Sequence, residues 1–347
     1  MKNAYALQFT TSSRATISMR GSSNIVKLEY SYDGVDWIKY DFNSLSINSG
    51  DILYIRGYNP RGISHKNNKY YKFIIEGGKV SCSGNIMSLI DYENTPDTIP
   101  CDYCFYGLFE GCSSLTTAPE LPAMTLADSC YENMFSVCTS LVNAPELPAM
   151  RLVESCYSGM FSYCSSLTTA PELPAMTLAD SCYGHMFSGC TSLTTAPELQ
   201  ATALKASCYD SMFSGCTSLV NAPELPTTKL ATGCYSYMFE GCTSLVNAPE
   251  LPAMTLADFC YDGMFYKCTS LKTAPELPAM RLADFCYRMM FSGCTALTSA
   301  PELPATKLAK DCYYQMFKGC TSLKNKPELT ESYMSIMTFK EYCQSQL

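Results

Sequence analysis

Histidine is almost missing from this sequence, which contains two histidines among 347 residues. The two, His65 and His185, lie in segments of different character. A Ser-His-Asp or Cys-His catalytic arrangement needs a histidine beside its nucleophile, and nothing in the neighbouring sequence marks either histidine for that role. A glycine-rich phosphate-binding loop is also missing. We therefore expect no enzyme activity, no catalytic residues and no cofactor.

Charged residues are scarce, because Asp, Glu, Lys and Arg make up 16% of the chain and leave a formal net charge of −8. Residues 1–95 carry 11 Lys and Arg against 8 Asp and Glu, whereas residues 96–347 carry 13 against 24. An acidic surface repels the phosphates of DNA and RNA. The sequence therefore predicts no nucleic-acid partner.

Long apolar runs are missing too. No stretch of the sequence is long and apolar enough to cross a membrane, and the amino-terminal segment MKNAYALQFTTSSR lacks the apolar core of a signal peptide. We therefore expect no membrane span. Two alternatives for localisation follow: a signal peptide has been removed and the protein is secreted or at the cell surface, or the protein is assembled into a virion such as a phage particle.

Repetition is what the sequence has in abundance. The segment CYGHMFSGCTSLTTAPELQATAL, residues 182–204, recurs before and after at a period of 26 residues without insertions. The first cysteines of the nine copies are Cys104, Cys130, Cys156, Cys182, Cys208, Cys234, Cys260, Cys286 and Cys312. A fixed period of this length predicts a solenoid whose units bury their apolar faces against each other.

Each copy changes its hydrophobic period part-way. An apolar stripe at spacings of about four residues predicts a short helix, and in the second copy it consists of Leu126, Cys130, Met134, Phe135 and Cys138. The following segment TSLVNAPELPAM alternates apolar and polar residues and predicts one strand per copy, with a short parallel ladder at 141–144 and looser backbone around the prolines. Helices need more width than strands, so the array should curve with its strands inside.

Cysteines are numerous, and 18 of the 21 occupy two fixed places in the repeat. At such places cysteine serves as a small apolar residue, so we expect buried free thiols rather than disulfides. Cys101 and Cys104 form a C-x-x-C pair. No second pair follows at the spacing of a zinc ribbon, and Cys104 already belongs to the repeat. The sequence therefore predicts no metal site and no redox role.

The repeated unit M-F-x-x-C-x-x-L followed by x-x-A-P-E-L-P resembles the bacterial BspA-like leucine-rich repeats over about residues 85–330. The resemblance implies an α/β repeat fold, a curved leucine-rich-repeat solenoid. It also implies a surface-exposed binding or adhesion role, with no catalytic residues to transfer.

Residues 1–82 contain no copy of the repeat and alternate in short segments separated by turns, which predicts a small β-sandwich-like domain. We expect a degenerate capping repeat at 83–103, the nine-copy solenoid at 104–329 and a helical cap at 330–347. Trp37, the only tryptophan, is interpreted as a core residue. The loop GYNPRGISHKNNKY, residues 57–70, is interpreted as a solvated basic loop, and contact with an acidic neighbour such as the solenoid or a second subunit is the alternative.

Recognition should use the positions that vary while the scaffold stays constant. The polar residues after the strand leucine are candidates for binding a protein or a carbohydrate on a host or neighbouring cell. They are Thr116, Thr117, Asn143, Thr194, Thr195, Asn221, Asn247, Lys272 and Thr273. Further varying positions lie on the predicted helices, among them Asn133, His185, Tyr237 and Met289.

One glutamate also recurs in every copy, from Glu120 to Glu328. We interpret these carboxylates as caps for N–H groups in the Pro-x-x-Pro turn, and calcium bridging between copies is the alternative. The leading hypothesis is a non-enzymatic surface protein that binds protein or glycan through the solenoid. The alternative is a structural spacer or receptor-binding part of a phage tail or other assembly, attached through its β-domain.

Overall fold

The computed structural model describes residues 5–21, 26–65 and 70–324. The predicted cap at 330–347 and the last recurring glutamate, Glu328, lie outside these residues. The chain divides into two compact units, Met1–Ala175 and Met176–Leu347. The first contains a nine-stranded β-region followed by repeats, and the second consists of repeats. The predicted domain boundaries and the curvature of the array stay predictions.

Two sheets make up the β-region. The strands are β1 (Leu7–Thr11), β2 (Ala15–Gly21), β3 (Leu28–Ser31), β4 (Ile38–Lys39), β5 (Leu45–Ile47), β6 (Ile52–Gly57), β7 (Tyr71–Gly77), β8 (Val80–Ser83) and β9 (Leu115–Thr117). Their orders are β4-β3-β6-β1-β8-β9 and β5-β2-β7. All pairs are antiparallel except β8 with β9. Buried residues alternate along β1 and β2, and the rings of Phe9 and Phe73 meet at 5.3 Å between the sheets.

Strand β8 joins the larger sheet of the β-region to the first repeat copy. It pairs in parallel with β9, which lies within that copy, and the backbone N–H of Val80 donates to the carbonyl of Ser114 at 2.9 Å. A short 3-10 helix, Ile86–Leu89, follows and is capped by the side chain of Asn85. The β-region therefore covers the first repeat copy with strand β8. This contact removes an unpaired strand edge.

Trp37 is not a core residue. It is half-buried, and the guanidinium of Arg56 lies 3.7 Å from the centre of its ring. Tyr92 covers the same guanidinium at 4.0 Å, and Arg56 also bonds Glu29 at 3.0 Å. The interpretation of Trp37 as a core residue is wrong because a cation, rather than apolar side chains, packs against the face of its ring.

The described repeats contain no α-helix, so the α/β class is wrong, and each predicted helix is a run of tight turns. Hydrogen bonds alternate along the run. In the second copy the N–H of Met134 donates to Tyr131 O within the copy (3.1 Å), whereas the N–H of Phe135 donates to Met160 O of the next copy (2.9 Å). A helix would keep all these bonds within one segment. Here half of them join neighbouring copies.

Left-handed backbone at every fourth residue causes this alternation. In the turn 131–134 the second central residue, Asn133, has φ +54°, as a type II turn requires. Three such positions recur in every copy, and the third of them is occupied by Gly111, Val137, Tyr163, Gly189, Gly215, Gly241, Lys267, Gly293 and Gly319. A left-handed residue ends any helical run, since side chains other than glycine pay a steric penalty there.

Stacked rows of identical side chains form the core of the repeats. In the first unit the rings of Tyr131 and Tyr157 lie 5.8 Å apart and those of Phe135 and Phe161 5.7 Å apart. In the second unit the stacks run from Tyr183 to Tyr313 and from Phe187 to Phe317. These stacks fill the space that the turns enclose.

The repeat cysteines complete this core. In the described residues every cysteine is a free thiol, as the sequence predicts. The second cysteine of a copy donates its S–H to the carbonyl of a phenylalanine in the preceding copy, as Cys216 does to Phe187 at 3.1 Å. Burial raises the pKa of Cys164 to about 12. These thiols therefore stay protonated at neutral pH.

The strand half of each copy pairs more sparsely than predicted. Residues 141–144 form no strand, and isolated parallel bridges join neighbouring copies instead, such as Asn143 with Thr169 and Asn221 with Asn247. The prolines just after this point, at 145 and 148 in the second copy, lack an N–H to donate. The pairing is parallel as expected, but it is limited to isolated bridges.

Val137 should destabilise its own copy. It has φ +62° where six other copies carry glycine, and a β-branched residue is rarely found in this conformation. We expect Val137→Gly to raise the free energy of unfolding by roughly 1 kcal/mol, because strain of about 1–3 kcal/mol is removed and the added freedom of the unfolded chain offsets only part of it. The measurement is the urea midpoint of the full chain. Val137→Ala keeps the left-handed strain and serves as the control; an Ala variant as stable as the Gly variant contradicts the argument.

Candidate binding surface

A row of exposed polar side chains follows the strand leucines of the second unit. The leucines beside this row, among them Leu219 and Leu245, are 0% exposed and anchor its backbone. Consecutive members are joined by the single parallel bridges, and all of them are exposed. The row consists of Thr195, Asn221, Asn247, Thr273 and Ser299. We call these residues the polar row.

A second exposed column runs beside the polar row. Its backbone groups join the copies, as when Lys272 N–H donates to Val246 O at 3.3 Å. Because these bonds between copies use backbone groups, the side chains of the column remain available to a ligand. Of the residues that the sequence singles out, Thr194 and Lys272 lie in this column and are exposed. The structure therefore brings Thr194, Thr195, Asn221, Asn247, Lys272 and Thr273 together on one unit.

The remaining candidates lie in the first unit and serve the fold. The hydroxyl of Thr116 donates to Val80 O, and that of Thr117 donates to Cys82 O, both at 3.0 Å. Both bonds tie the first copy to β8. Asn143 is exposed and accepts a bond of 3.4 Å from the Thr169 hydroxyl. The side chains of Thr116, Thr117 and Asn143 therefore already form hydrogen bonds within the protein.

The varying positions expected on helices lie instead at left-handed residues of the turns. Asn133, His185, Tyr237 and Met289 all have positive φ, between +49° and +55°. His185 approaches the carboxylate of Asp210 at 4.0 Å. These varying residues therefore occupy positions at which the left-handed backbone favours glycine.

Arg288 is a further varying position of the repeat, and on the turns of the second unit it belongs to a cluster whose contacts the sequence did not predict. Arg288 donates to both carboxylate oxygens of Asp262, at 3.0 and 2.5 Å, and Asp262 is 1% exposed. The guanidinium also lies over the rings of Phe259 and Phe285, which stack at 4.6 Å. We call Phe259, Asp262, Phe285 and Arg288 the arginine cluster.

Electrostatics in the arginine cluster follow from burial. Burial raises the pKa of Asp262, and the bonds from Arg288 oppose that rise. The pKa of Arg288 is raised in turn by its hydrogen bond to Asp262. One signal was available in the sequence, because opposite charges stand one 26-residue period apart.

The recurring glutamates do not cap the turns. The eight that the structure describes, Glu120 to Glu302, are exposed. No hydrogen bond joins their carboxylates to backbone N–H groups in the described ranges, so the capping interpretation is wrong. In the same residues no group of three or more His, Cys, Asp or Glu side chains could hold a metal ion.

Comparison with known proteins gives one match. The sequence profile described as BspA type leucine-rich repeat region matches six copies, over residues 102–220 and 183–324. The matched residues are more than half of the chain. The chain belongs to the BspA-type leucine-rich repeat family. Neither a curated protein nor a solved structure matches it.

Membership in the BspA-type family confirms the resemblance drawn from M-F-x-x-C-x-x-L. The matched residues contain the polar row and the arginine cluster, so both lie within the family's repeats. Among the residues that the structure describes, no helix has the length and apolar character needed to cross a membrane.

Proposed function

We propose that this BspA-type protein is a non-enzymatic binding protein of the surface or secreted type, and that it contacts a protein or a carbohydrate through the polar row. Proteins of this repeat family are commonly surface or adhesion proteins, and repeats of this kind are generally non-enzymatic. The observation that carries the proposal is that exposed polar residues differ from copy to copy while the buried rows beneath them stay the same.

The geometry supports an extended ligand. Amide and hydroxyl groups recur once per copy along the row, and each is held by a backbone bridge to its neighbour. A ligand with repeated hydrogen-bonding groups can contact several copies at once, so weak individual bonds add along the row. Because the backbone is already paired, little conformational entropy is lost on binding.

The test uses the full chain on an array of immobilised glycans and on a panel of purified host surface proteins. Asn247→Ala with Thr273→Ala removes two neighbouring members of the polar row. We expect this double variant to weaken binding roughly ten-fold or more, because each lost hydrogen bond costs about 0.5–1.5 kcal/mol. The measurement is the dissociation constant for the probe that binds the unmodified protein.

Thr243→Ala with Thr269→Ala is the matched control. These two threonines are exposed residues of the same two copies, on the other side of the buried strand leucines. We expect the control variant to bind normally. Equal loss in both double variants places the contact elsewhere on the repeats. Absence of binding to every probe favours the alternative, in which the protein is a spacer or a component of an assembly.

A further inference from the structure

Cys101 lies three residues before the first repeat copy, and no later copy has a cysteine at the equivalent position. Its equivalents one or more periods later are Ala127, Val153, Ala179, Lys205, Ala231, Ala257, Ala283 and Ala309. The packing of the repeats therefore does not need a thiol at this position. Three residues further on lies Cys104, the first cysteine of the regular repeat, which is 0% exposed.

The two thiols lie against the same residue, Gly62. A Cβ placed on Gly62 would be 2.2 Å from the Cys101 sulfur and 3.3 Å from the Cys104 sulfur. The separation of the two sulfurs is therefore no more than the sum of these short distances. Gly62 has φ +95°, and its missing side chain leaves the space that Cys101 occupies.

Backbone contacts hold the segment around Gly62 on this pair. The Cys101 thiol donates to Ser64 O at 3.5 Å, and the backbone N–H of Ser64 donates to Cys104 O at 3.1 Å. Ile63, between these contacts, is 1% exposed and covers Cys104. Cys101 itself is half-buried, whereas Cys104 is buried, so Cys101 is the more exposed residue of the pair.

We propose that Cys101 and Cys104 form a thiol–disulfide exchange site, with Cys101 as the attacking thiol and Cys104 as the resolving thiol. The substrate class is a small-molecule disulfide such as oxidised glutathione. This site goes beyond the binding function proposed above and does not depend on it.

The chemistry balances without a further reactant. The Cys101 thiolate attacks one sulfur of the substrate disulfide, so a mixed disulfide forms and one substrate thiolate leaves. Cys104 then attacks the Cys101 sulfur and its proton passes to the departing substrate sulfur, which forms the Cys101–Cys104 disulfide and releases the second half of the substrate as a thiol. The protein dithiol is oxidised by two electrons and the substrate disulfide is reduced by two.

The two environments suit these roles. The hydrogen bond from the Cys104 thiol lowers the pKa of Cys101, whereas burial raises the pKa of Cys104 well above its ordinary value. The attacking thiol is therefore more readily ionised than the resolving thiol. The other described repeat cysteines are buried except for the half-buried Cys320, and none of them has a second thiol three residues away.

The experiment equilibrates the reduced full chain with mixtures of reduced and oxidised glutathione, quenches with acid and alkylates all free thiols after denaturation. We expect the peptide containing 101–104 to lose two hydrogens as the oxidised share rises, while the repeat cysteines from Cys130 onward stay alkylated. The measurement is the mass of that peptide. A pair that stays alkylated at every mixture overturns the proposal.

Two variants assign the roles. Cys101→Ala places in this copy the residue that most other copies have, so it should fold, and we expect Cys104 to stay a free thiol in it. In Cys104→Ala we expect glutathione to remain attached to Cys101. If that variant does not fold, acid quenching of the unmodified protein at early times should trap the same mixed disulfide on Cys101. A mixed disulfide found on Cys104 instead overturns the assignment.

Discussion

Phe213→Ala should disrupt the repeats around Phe213, which lies in the fifth of the nine copies. Phe213 is 0% exposed, and its ring stacks at 5.8 Å on both Phe187 and Phe239. Truncation of a buried phenylalanine costs about 3–5 kcal/mol, and here it breaks two stacking contacts at once. We expect new protease cleavage near residues 200–230 while the flanking copies stay folded, because a repeat array is held by contacts between neighbours.

The measurement is limited proteolysis of the full chain, with the fragments identified by mass. Phe317→Ala is the matched control because Phe317 is only half-buried and the described stack reaches it from one side, through Phe291 at 5.7 Å. We expect that variant to lose less stability and to leave the cleavage near 200–230 unchanged. Simultaneous loss of all repeats in Phe213→Ala would contradict the picture of neighbour-to-neighbour stabilisation.

Arg288→Met should destabilise the second unit by about 2–3 kcal/mol at neutral pH. It leaves the carboxylate of Asp262, which is 1% exposed, without its cation. Breaking a fully buried pair costs about 3–5 kcal/mol; the arginine side chain retains 31% of its exposure, so we expect the lower part of that range or less. The measurement is the urea midpoint of the transition assigned to the repeats.

The loss of stability should depend on pH in a defined direction. Burial raises the folded-state pKa of Asp262 above its unfolded value. Between the two pKa values the folded state binds a proton that the unfolded state does not, so stability falls as the pH rises through this window and is constant above it. Removing Arg288 raises the folded pKa further. The difference between Arg288→Met and the unmodified protein should therefore be larger at about pH 7 than at about pH 4.

Asp262→Asn combined with Arg288→Met is the control for charge. Without the carboxylate there is no ion to leave unpaired, so we expect the double variant to recover part of the lost stability and to lose the pH dependence. An Arg288→Met variant whose loss of stability is the same at both pH values would show that the ring contacts to Phe259 and Phe285, rather than the ion pair, hold the cluster.

The repeat and its core could be predicted from the sequence, but the local conformation could not. Leu126, Cys130, Met134 and Cys138 are spaced by four residues, and this spacing suits a helical face nearly as well as it suits a turn that repeats every four residues. Burial alone cannot distinguish the two. The distinguishing signal lay in the glycines at Gly189, Gly215 and Gly241, which mark left-handed backbone inside the supposed helix.

The candidate binding surface was predictable in part for a related reason. Alternation along extended chain predicts exposure of the residue directly after a buried leucine, such as Thr194 and Lys272. It does not predict the exposure of Asn221 and Asn247, which follow the leucine by two residues and are also exposed. Contacts between the β-region and the first copy depend on which strand covers it. The sequence therefore did not reveal that Thr116 and Thr117 bond to β8, nor that Gly62 lies against the two thiols.

The stacked tyrosines and the single tryptophan give the protein two separate optical reporters. Trp37 lies in the β-region under Arg56, so its fluorescence follows that region alone when only tryptophan is excited. Tyr209, Tyr235 and Tyr261 are nearly parallel, at 5.8 and 5.9 Å, and electronic transitions of neighbouring rings in such an array couple. Near-ultraviolet circular dichroism then follows the order of the repeats. One denaturation experiment can thus follow the melting of sheets and repeats by separate signals.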